Sequence, residues 1–208
     1  GRERLIVCSP GAPDWPRREA PQHPGPILFV GTIDPRKNVT GLLRAYAELI
    51  ARNPGAPPLV MAGRLVGEFL TALRSTSGLR AVIDKAQWLG YVSDERRLEL
   101  YRAASMLVIP SFDEGFGLPV LEAMTLGVPV IASNRGALPE VIGDAGRLVD
   151  PDDHSELAAA MNRVLDDPAE RRRMADAGVL RARSYSWDMA ARRLRDAYAA
   201  AAATGRRT

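Results

Sequence analysis

The sequence predicts an α/β fold built on a six-stranded parallel sheet, with the strand order 3-2-1-4-5-6. Three observations carry that expectation. Six short apolar runs recur along the 208 residues. Segments of helical spacing, mostly about 10–15 residues long, separate them, as crossovers between parallel strands require. The length suits one generous domain with its own core.

Each element has its own local signal. Residues 9–26, SPGAPDWPRREAPQHPGP, hold six prolines and read as an irregular arm. ILFVG (27–31) is the first buried strand. NVTGLLRAYAELIA (38–51) is a helix capped by Asn38, with Leu42, Leu43, Tyr46, Leu49 and Ile50 on one face. PLVMAG (58–63) is the second strand, and one helix is expected around 66–76. AQWLGYV (86–92) is a weaker strand. SDERRLELYRAA (93–104) is a helix opened by Ser93, with Asp94 and Glu95 where the helix dipole favours acids. SMLVIPS (105–111) is the fourth strand. LPVLEAMTLG (118–127) is a helix with Pro119 near its start and Gly127 at its end, the usual asymmetry. VPVIAS (128–133) and GRLVD (146–150) are the last strands, with a short turn of helix at 138–143 between them. Helices over about 153–166, 169–183 and 187–203 close the chain.

Composition narrows the function. The 46% apolar and 25% charged content is that of a globular domain, and no apolar run approaches the roughly 20 residues of a membrane span. No signal peptide is visible. Cys8 is the only cysteine, which excludes an intrachain disulfide and fits a reducing compartment, the cytoplasm. With one cysteine and the distant His23 and His154 there is no histidine–cysteine metal spacing. Between Arg171 and Arg207 ten arginines face three aspartates, a local charge of +7 within a net of +3. The plain reading is solvated helix faces. Contact with an anionic membrane surface is the second, and nucleic acid is not expected, because no aromatics interleave the arginines.

In the order 3-2-1-4-5-6, strands one and four are neighbours and the connections reverse between them. Ligands bind in that crevice, outside the carboxyl ends of the strands. Two loops therefore form the expected site. The first, GTIDPRKN, supplies Arg36 and Lys37. The second, SFDEGFGLP, supplies Glu114, Gly115, Gly117 and a helix start whose N–H groups suit an anion. Two cations facing an anion site suit a diphosphate. Carboxylates beside them suit sugar or ribose hydroxyls, because an ionised carboxylate only accepts hydrogen bonds.

Glu122 poses a question of its own. It stands among Leu121, Ala123, Met124 and Leu126, and a buried carboxylate costs several kcal/mol unless paired, on the order of its desolvation. Either it accepts from two vicinal hydroxyls, or it pairs with Lys37 or Arg36 to hold the loops. Glu114 is read either as a ligand contact or as a solvent-facing loop residue. Other readings of the glycines fail: Val120 stands where a dinucleotide fingerprint needs its third glycine, and there is no Gly-Lys-Ser/Thr. A glycosidase pair would leave Arg36 and Lys37 without a task.

These stretches, FVGTIDPRKN and GYVSDERRLELYRAASMLVIPSFDEGFGLPVLEAMTLGVPVIAS, closely resemble the carboxyl-terminal domain of the retaining group 1 glycosyltransferases (family 4), enzymes of GT-B architecture. The likeness spans roughly 27–150, and its hallmark, two glutamates separated by seven residues, is matched by Glu114 and Glu122. The resemblance implies a Rossmann-like three-layer domain that binds a nucleotide-diphosphate sugar, with GDP- and UDP-sugars the expected donors. It implies Lys37 and Arg36 on the diphosphate, Glu114 on the transferred sugar, and the backbone of Gly115, Phe116, Gly117 and Leu118 along sugar and phosphates. It further implies Glu122 on the ribose, Tyr91 and Val92 near the base, and Gly63 and Arg64 lining the cleft. Many relatives carry arginine where this chain has Thr32, and Arg36 is the expected substitute.

The resemblance also implies transfer of a hexosyl unit with retention, by front-face departure assisted by phosphate, with no prosthetic group and no divalent metal. Bacterial polysaccharide or glycolipid synthesis is the habitual setting. The chain opens on Gly1 rather than methionine, and relatives carry an acceptor-binding domain upstream. The expectation is a donor-binding fragment: an interdomain connection over 1–26, a nucleotide-sugar-binding domain over 27–185, and a closing helix with a basic tail over 186–208. Alone it should bind nucleotide weakly and transfer little or nothing, and its last helix, displaced or with an exposed apolar face, could pair two copies; the alternative is a non-enzymatic nucleotide-sugar or carbohydrate-binding module.

Overall fold

The computed structural model describes residues 6–19, 21 and 24–205. The start of the expected connection through Leu5, His23 and the basic tail 206–208 lie outside the described residues. Strands β1 (Ile27–Val30), β2 (Leu59–Ala62), β3 (Gln87–Gly90), β4 (Met106–Ile109), β5 (Val130–Ser133) and β6 (Arg147–Val149) form one sheet. All pairings are parallel and the order is β3-β2-β1-β4-β5-β6, the order expected. The helices are α1 (Val39–Arg52), α2 (Phe69–Ser75), α3 (Arg80–Lys85), α4 (Asp94–Ala103), α5 (Leu118–Leu126), α6 (Leu138–Ile142), α7 (His154–Asp166), α8 (Pro168–Ala182) and α9 (Trp187–Gly205).

Strands β1, β2, β4 and β5 are buried at every position, which is why they read as unbroken apolar runs rather than alternating ones. Each fully buried leucine or isoleucine contributes about 1.5–3 kcal/mol. Edge strand β3 alternates between exposed and half-buried residues, which accounts for its weak sequence signal. Around the sheet, α1 packs on α7 and α5 on α8.

The helix expected near 66–76 is α2, and α3, over 80–85, is a further short helix that was not expected. The side chains of Ser75 and Thr76 bond back to the carbonyls of Thr71 and Ala72, and Gly78 takes a left-handed φ of 79°. Together these end one helix and turn the chain before the next.

Asn38 does more than cap α1. It is buried in the left-handed region, φ 52°. Its side-chain oxygen accepts from Gly41 N–H at 3.2 Å, while its amide donates to the carbonyls of Pro110 (3.1 Å) and Pro151 (2.7 Å). One side chain thus ties the loop after β1 to the loops after β4 and β6.

The proline-rich arm packs on the domain. Ala12 N–H bonds to the Tyr185 carbonyl, and the Trp15 ring lies 6.3 Å from that of Tyr101. Arg18 donates to the carbonyls of Tyr101, Arg102 and Ala104, closing the carboxyl end of α4. Burial lowers its pKa to about 10. A cavity of about 310 Å³ lies between this arm and α8, lined in part by Arg17, Arg18, Ser105, Pro129 and Arg171. It sits at the amino ends of β4 and β5, remote from the strand ends where a ligand is expected. Three of its guanidiniums already hold structural partners: Arg17 pairs with Asp176, Arg18 bonds to the carbonyls at the end of α4, and Arg171 donates to the carbonyls of Val164 and Leu165.

Helix α9 leaves Trp187, Leu194 and Tyr198 exposed. Among the described residues, no helix is long and apolar enough to cross a membrane.

Candidate functional site

The loop after β1 and the loop after β4 meet, as neighbouring strands whose connections diverge should make them. The first makes one turn of 3-10 helix, Pro35–Lys37, opened by Asp34, whose side chain accepts from Lys37 N–H. That turn aims two consecutive cations at the second loop. Lys37 Nζ stands 2.6 Å from Glu114 Oε1. Their side chains are 12% and 10% exposed, so this is a sheltered pair. Ser111 Oγ donates to the same oxygen at 2.8 Å. Among the described residues the other oxygen, Oε2, has only Arg36, at 3.8 Å. Arg36 is 47% exposed and gives a hydrogen bond to the Asp113 carbonyl. Glu114 is therefore not a solvent-facing loop residue. Its Oε1, held by Lys37 and Ser111, anchors it.

Backbone bonds fix the second loop. Phe112 N–H bonds to the Arg36 carbonyl at 2.9 Å, and Ala137 N–H to that of Glu114 at 3.0 Å. Ser133 Oγ donates to the Ser111 carbonyl. Phe116 packs edge-on against Tyr185, ring centroids 5.6 Å apart. Gly117 caps α5 with a left-handed φ of 95° and no side chain caps that helix start; Pro119 carries no N–H and those of Val120 and Leu121 bond to the Gly117 carbonyl, which leaves Leu118 N–H as the first-turn amide without an acceptor among the described residues. Leu118 is the first helical residue and is exposed. A Cβ on Gly115 would meet nothing within 4 Å, so this glycine leaves room rather than relieving backbone strain.

The first loop is braced from beside it. Ile33 N–H bonds to the Arg64 carbonyl and Val66 N–H to that of Ile33, extending the β1–β2 pairing past the strand ends. Gly63 crosses Gly31 so closely that a Cβ would lie 1.8 Å from the Gly31 carbonyl oxygen. The Arg64 side chain is exposed. At the entrance to α4, Tyr91 is 82% exposed, while Val92 packs against the core.

Glu122 departs from one of its two readings. It pairs with neither Lys37 nor Arg36. Its Oε1 lies 3.2 Å from Arg97 Nη2, and Tyr101 donates to Oε2 at 2.9 Å, both from α4. The cations of the first loop are turned to Glu114, so α4 supplies the charge instead. Burial is the main influence on Glu122 and raises its carboxyl pKa, against the lowering effects of Tyr101 and Arg97. Arg97 behaves oppositely. Desolvation works against its charge, yet Glu122 and Asp94 hold its pKa above the usual value. The difference follows depth: Glu122, only 16% exposed, gives up more water than Arg97 does. Burial, then Glu122, push the Tyr101 hydroxyl well above the normal range.

A raised carboxylate pKa means that the ionised form is disfavoured in the fold. Its stability contribution is best below the ordinary carboxylate range and is lost as pH rises through the shifted value. Glu122→Gln should therefore melt no lower than the native chain at pH 7, with its relative advantage shrinking toward pH 4. A drop of several degrees at pH 7 would instead mean that the Arg97 pair stabilises on balance.

Arg97, Tyr101, Ser111 and Tyr185 were not singled out from the sequence. Tyr101 and Arg97 lie 21 and 25 positions before Glu122, and no local pattern joins them. Among the described residues, no group of three or more histidine, cysteine, aspartate or glutamate side chains could hold a metal ion.

Residues 14–181 match the family described as "Glycosyl transferases group 1". Over 166 residues the chain is 42% identical to the O-antigen chain mannosyltransferase B of Escherichia coli, covering 79% of this chain and 43% of that protein. It is 36% identical over 188 residues to the D-inositol 3-phosphate glycosyltransferase of Streptomyces griseus subsp. griseus, covering 86% of this chain and 40% of that one. The chain thus spans less than half the length of these curated relatives. Among solved structures, the sucrose-phosphate synthase of Thermosynechococcus elongatus superposes with a TM-score of 0.80 at 27% identity, over 96% of this chain and 53% of that one. The C-terminal domain of a glycosyl transferase group 1 family protein from Francisella tularensis superposes with a TM-score of 0.67 at 28% identity, over 77% and 86%.

Proposed function

We infer that this chain, which belongs to the family of group 1 glycosyl transferases and has the fold of their carboxyl-terminal GT-B domain, is the donor-binding half of a retaining hexosyltransferase. The whole enzyme transfers a sugar from a nucleotide-diphosphate sugar to an acceptor held by an upstream domain. The observation that carries this reading is the sheltered Lys37–Glu114 pair, 2.6 Å apart, joining two loops at the reversal of the strand order.

Each group then has a task. Lys37, with Arg36 at the rim, meets the diphosphate. The N–H groups from Gly115 to Leu118 meet its other side, so the charge that builds as the bond from the anomeric carbon to the diphosphate oxygen breaks is met by donors already in place. No step requires a divalent ion, and we propose that none is used. The bonding pair leaves on the diphosphate, the acceptor hydroxyl forms the new bond on the same face, and its proton passes to the departing phosphate oxygen. The Oε2 of Glu114 accepts from a hydroxyl of the transferred sugar. Glu122 accepts from the ribose, Tyr91 and Val92 border the base, and Gly63 and Arg64 shape the far wall. This chain alone binds nucleotide weakly and transfers little, because the acceptor is held by the other domain.

Calorimetric titration with UDP, GDP, ADP and TDP, with and without Mg²⁺, tests the reading. The expected result is saturable binding that prefers one base and is indifferent to Mg²⁺. GDP is the first to try, because the E. coli relative is named a mannosyltransferase. Failure of all four diphosphates to bind both this chain and a two-domain protein would overturn the assignment.

A further inference from the structure

We propose that Arg97 is a positioning residue for ribose recognition: together with Tyr101 it pins the Glu122 carboxylate so that each oxygen offers one remaining lone pair to the ribose diol. This rests on the reading of Glu122 as the ribose contact and adds to it a residue with no assigned part in nucleotide binding.

The geometry argues for positioning rather than for a simple brace between helices. Each Glu122 oxygen has one partner from α4: Oε1 has Arg97 at 3.2 Å and Oε2 has Tyr101 at 2.9 Å. A carboxylate has about four acceptor sites, so one remains on each oxygen. Two acceptors at that separation suit two vicinal hydroxyls. Arg97 is itself fixed, because its Nη1 donates to Asp94 Oδ1 at 2.8 Å in the first turn of α4. Its buried Nε has no hydrogen-bond partner, a poor arrangement for a residue selected only to join two helices. Tyr101 is fully buried, is touched by the Trp15 ring, and sits in the turn that Arg18 closes. Both partners of Glu122 are therefore held before a nucleotide arrives. Arg97 also stands near the start of α4, the helix that the loop carrying Tyr91 and Val92 leads into, so base and ribose would be met by adjoining parts of one loop and helix.

The test compares each ribonucleotide with its 2′-deoxy counterpart. GDP, dGDP, UDP and dUDP are titrated into the native chain, Arg97→Leu and Arg97→Lys, and thermal melts confirm that each variant is folded. The native chain is expected to bind the ribose form at least about tenfold more tightly, the worth of one charged hydrogen bond. Arg97→Leu should bind the ribose form about tenfold more weakly while hardly changing the deoxy form, so the ratio falls toward one. Arg97→Lys should restore part of it. If Arg97→Leu is folded and keeps the native ratio, the pair is only a brace and the proposal is overturned while the reading of Glu122 stands. If the native chain itself does not distinguish ribose from deoxyribose, the reading of Glu122 falls and takes the proposal with it.

Discussion

Replacing Lys37 by alanine is expected to weaken nucleoside-diphosphate binding about ten- to a hundredfold, and to lower turnover in a two-domain enzyme about 10²–10³-fold. The first figure is the worth of a hydrogen bond to a charged group, about 1.5–3 kcal/mol. The second is the usual effect of removing one preorganised donor from developing negative charge. Arg36 should not compensate. It is about half exposed, stands 3.8 Å from Glu114, and has one nitrogen committed to the Asp113 carbonyl. The substitution also strands Glu114 in a sheltered place with Ser111 and a distant guanidinium, so some stability is lost. The double replacement Lys37→Ala with Glu114→Ala separates the two effects: it should recover stability and not binding. Unchanged binding in a less stable Lys37→Ala chain would reduce Lys37 to a counter-ion for Glu114.

Gly63→Ala should cause the larger loss of stability, about 3–5 kcal/mol, or roughly 10 °C in melting temperature. The new Cβ would lie 1.8 Å from the Gly31 carbonyl oxygen and 2.6 Å from its carbon. Both are backbone atoms of the adjacent strand end, so no side chain can swing away. The φ of 153° adds strain for any residue other than glycine. What must move is the start of the loop that carries Arg36 and Lys37. Any folded protein that remains should therefore also bind nucleotide less well than its residual stability implies. Thermal melts beside titration on the same preparation check both parts. A melt within about 2 °C of native would show that the two strand ends separate easily.

Most of the fold was legible because the four central strands are buried on both faces, and apart from Ser133 at the end of β5 only apolar residues occupy them. The strand order followed from crossover connections and their reversal. Helix α3 was missed because it has only six residues, of which Val82 and Ile83 are buried, too few for a helical period to show. In the site, Lys37, Glu114 and the glycines were legible, since topology alone brings their loops together. The pairing of Lys37 with Glu114 spans 77 positions and has no local trace. The partners of Glu122 were illegible for a related reason. Arg97 and Tyr101 lie within an ordinary-looking polar helix, and only the packing of α4 beside α5 reveals which of its residues face a carboxylate.

The arm from Ala12 to Arg18 bears on where one such domain could be exchanged for another. Sequence places the seam at the proline-rich stretch before Ile27, but the arm supplies the Trp15 ring against Tyr101 and the guanidinium that closes α4. A graft that joins foreign sequence at residue 27 would import the sheet and both signature glutamates, yet leave behind the strut beneath the helix that steadies one of them. A splice on the far side of Gly11, which itself packs against Trp187, would carry the strut with its load. The transferable module is thus longer than its strands and helices suggest, and part of what tunes its site is borrowed from what looks like linker.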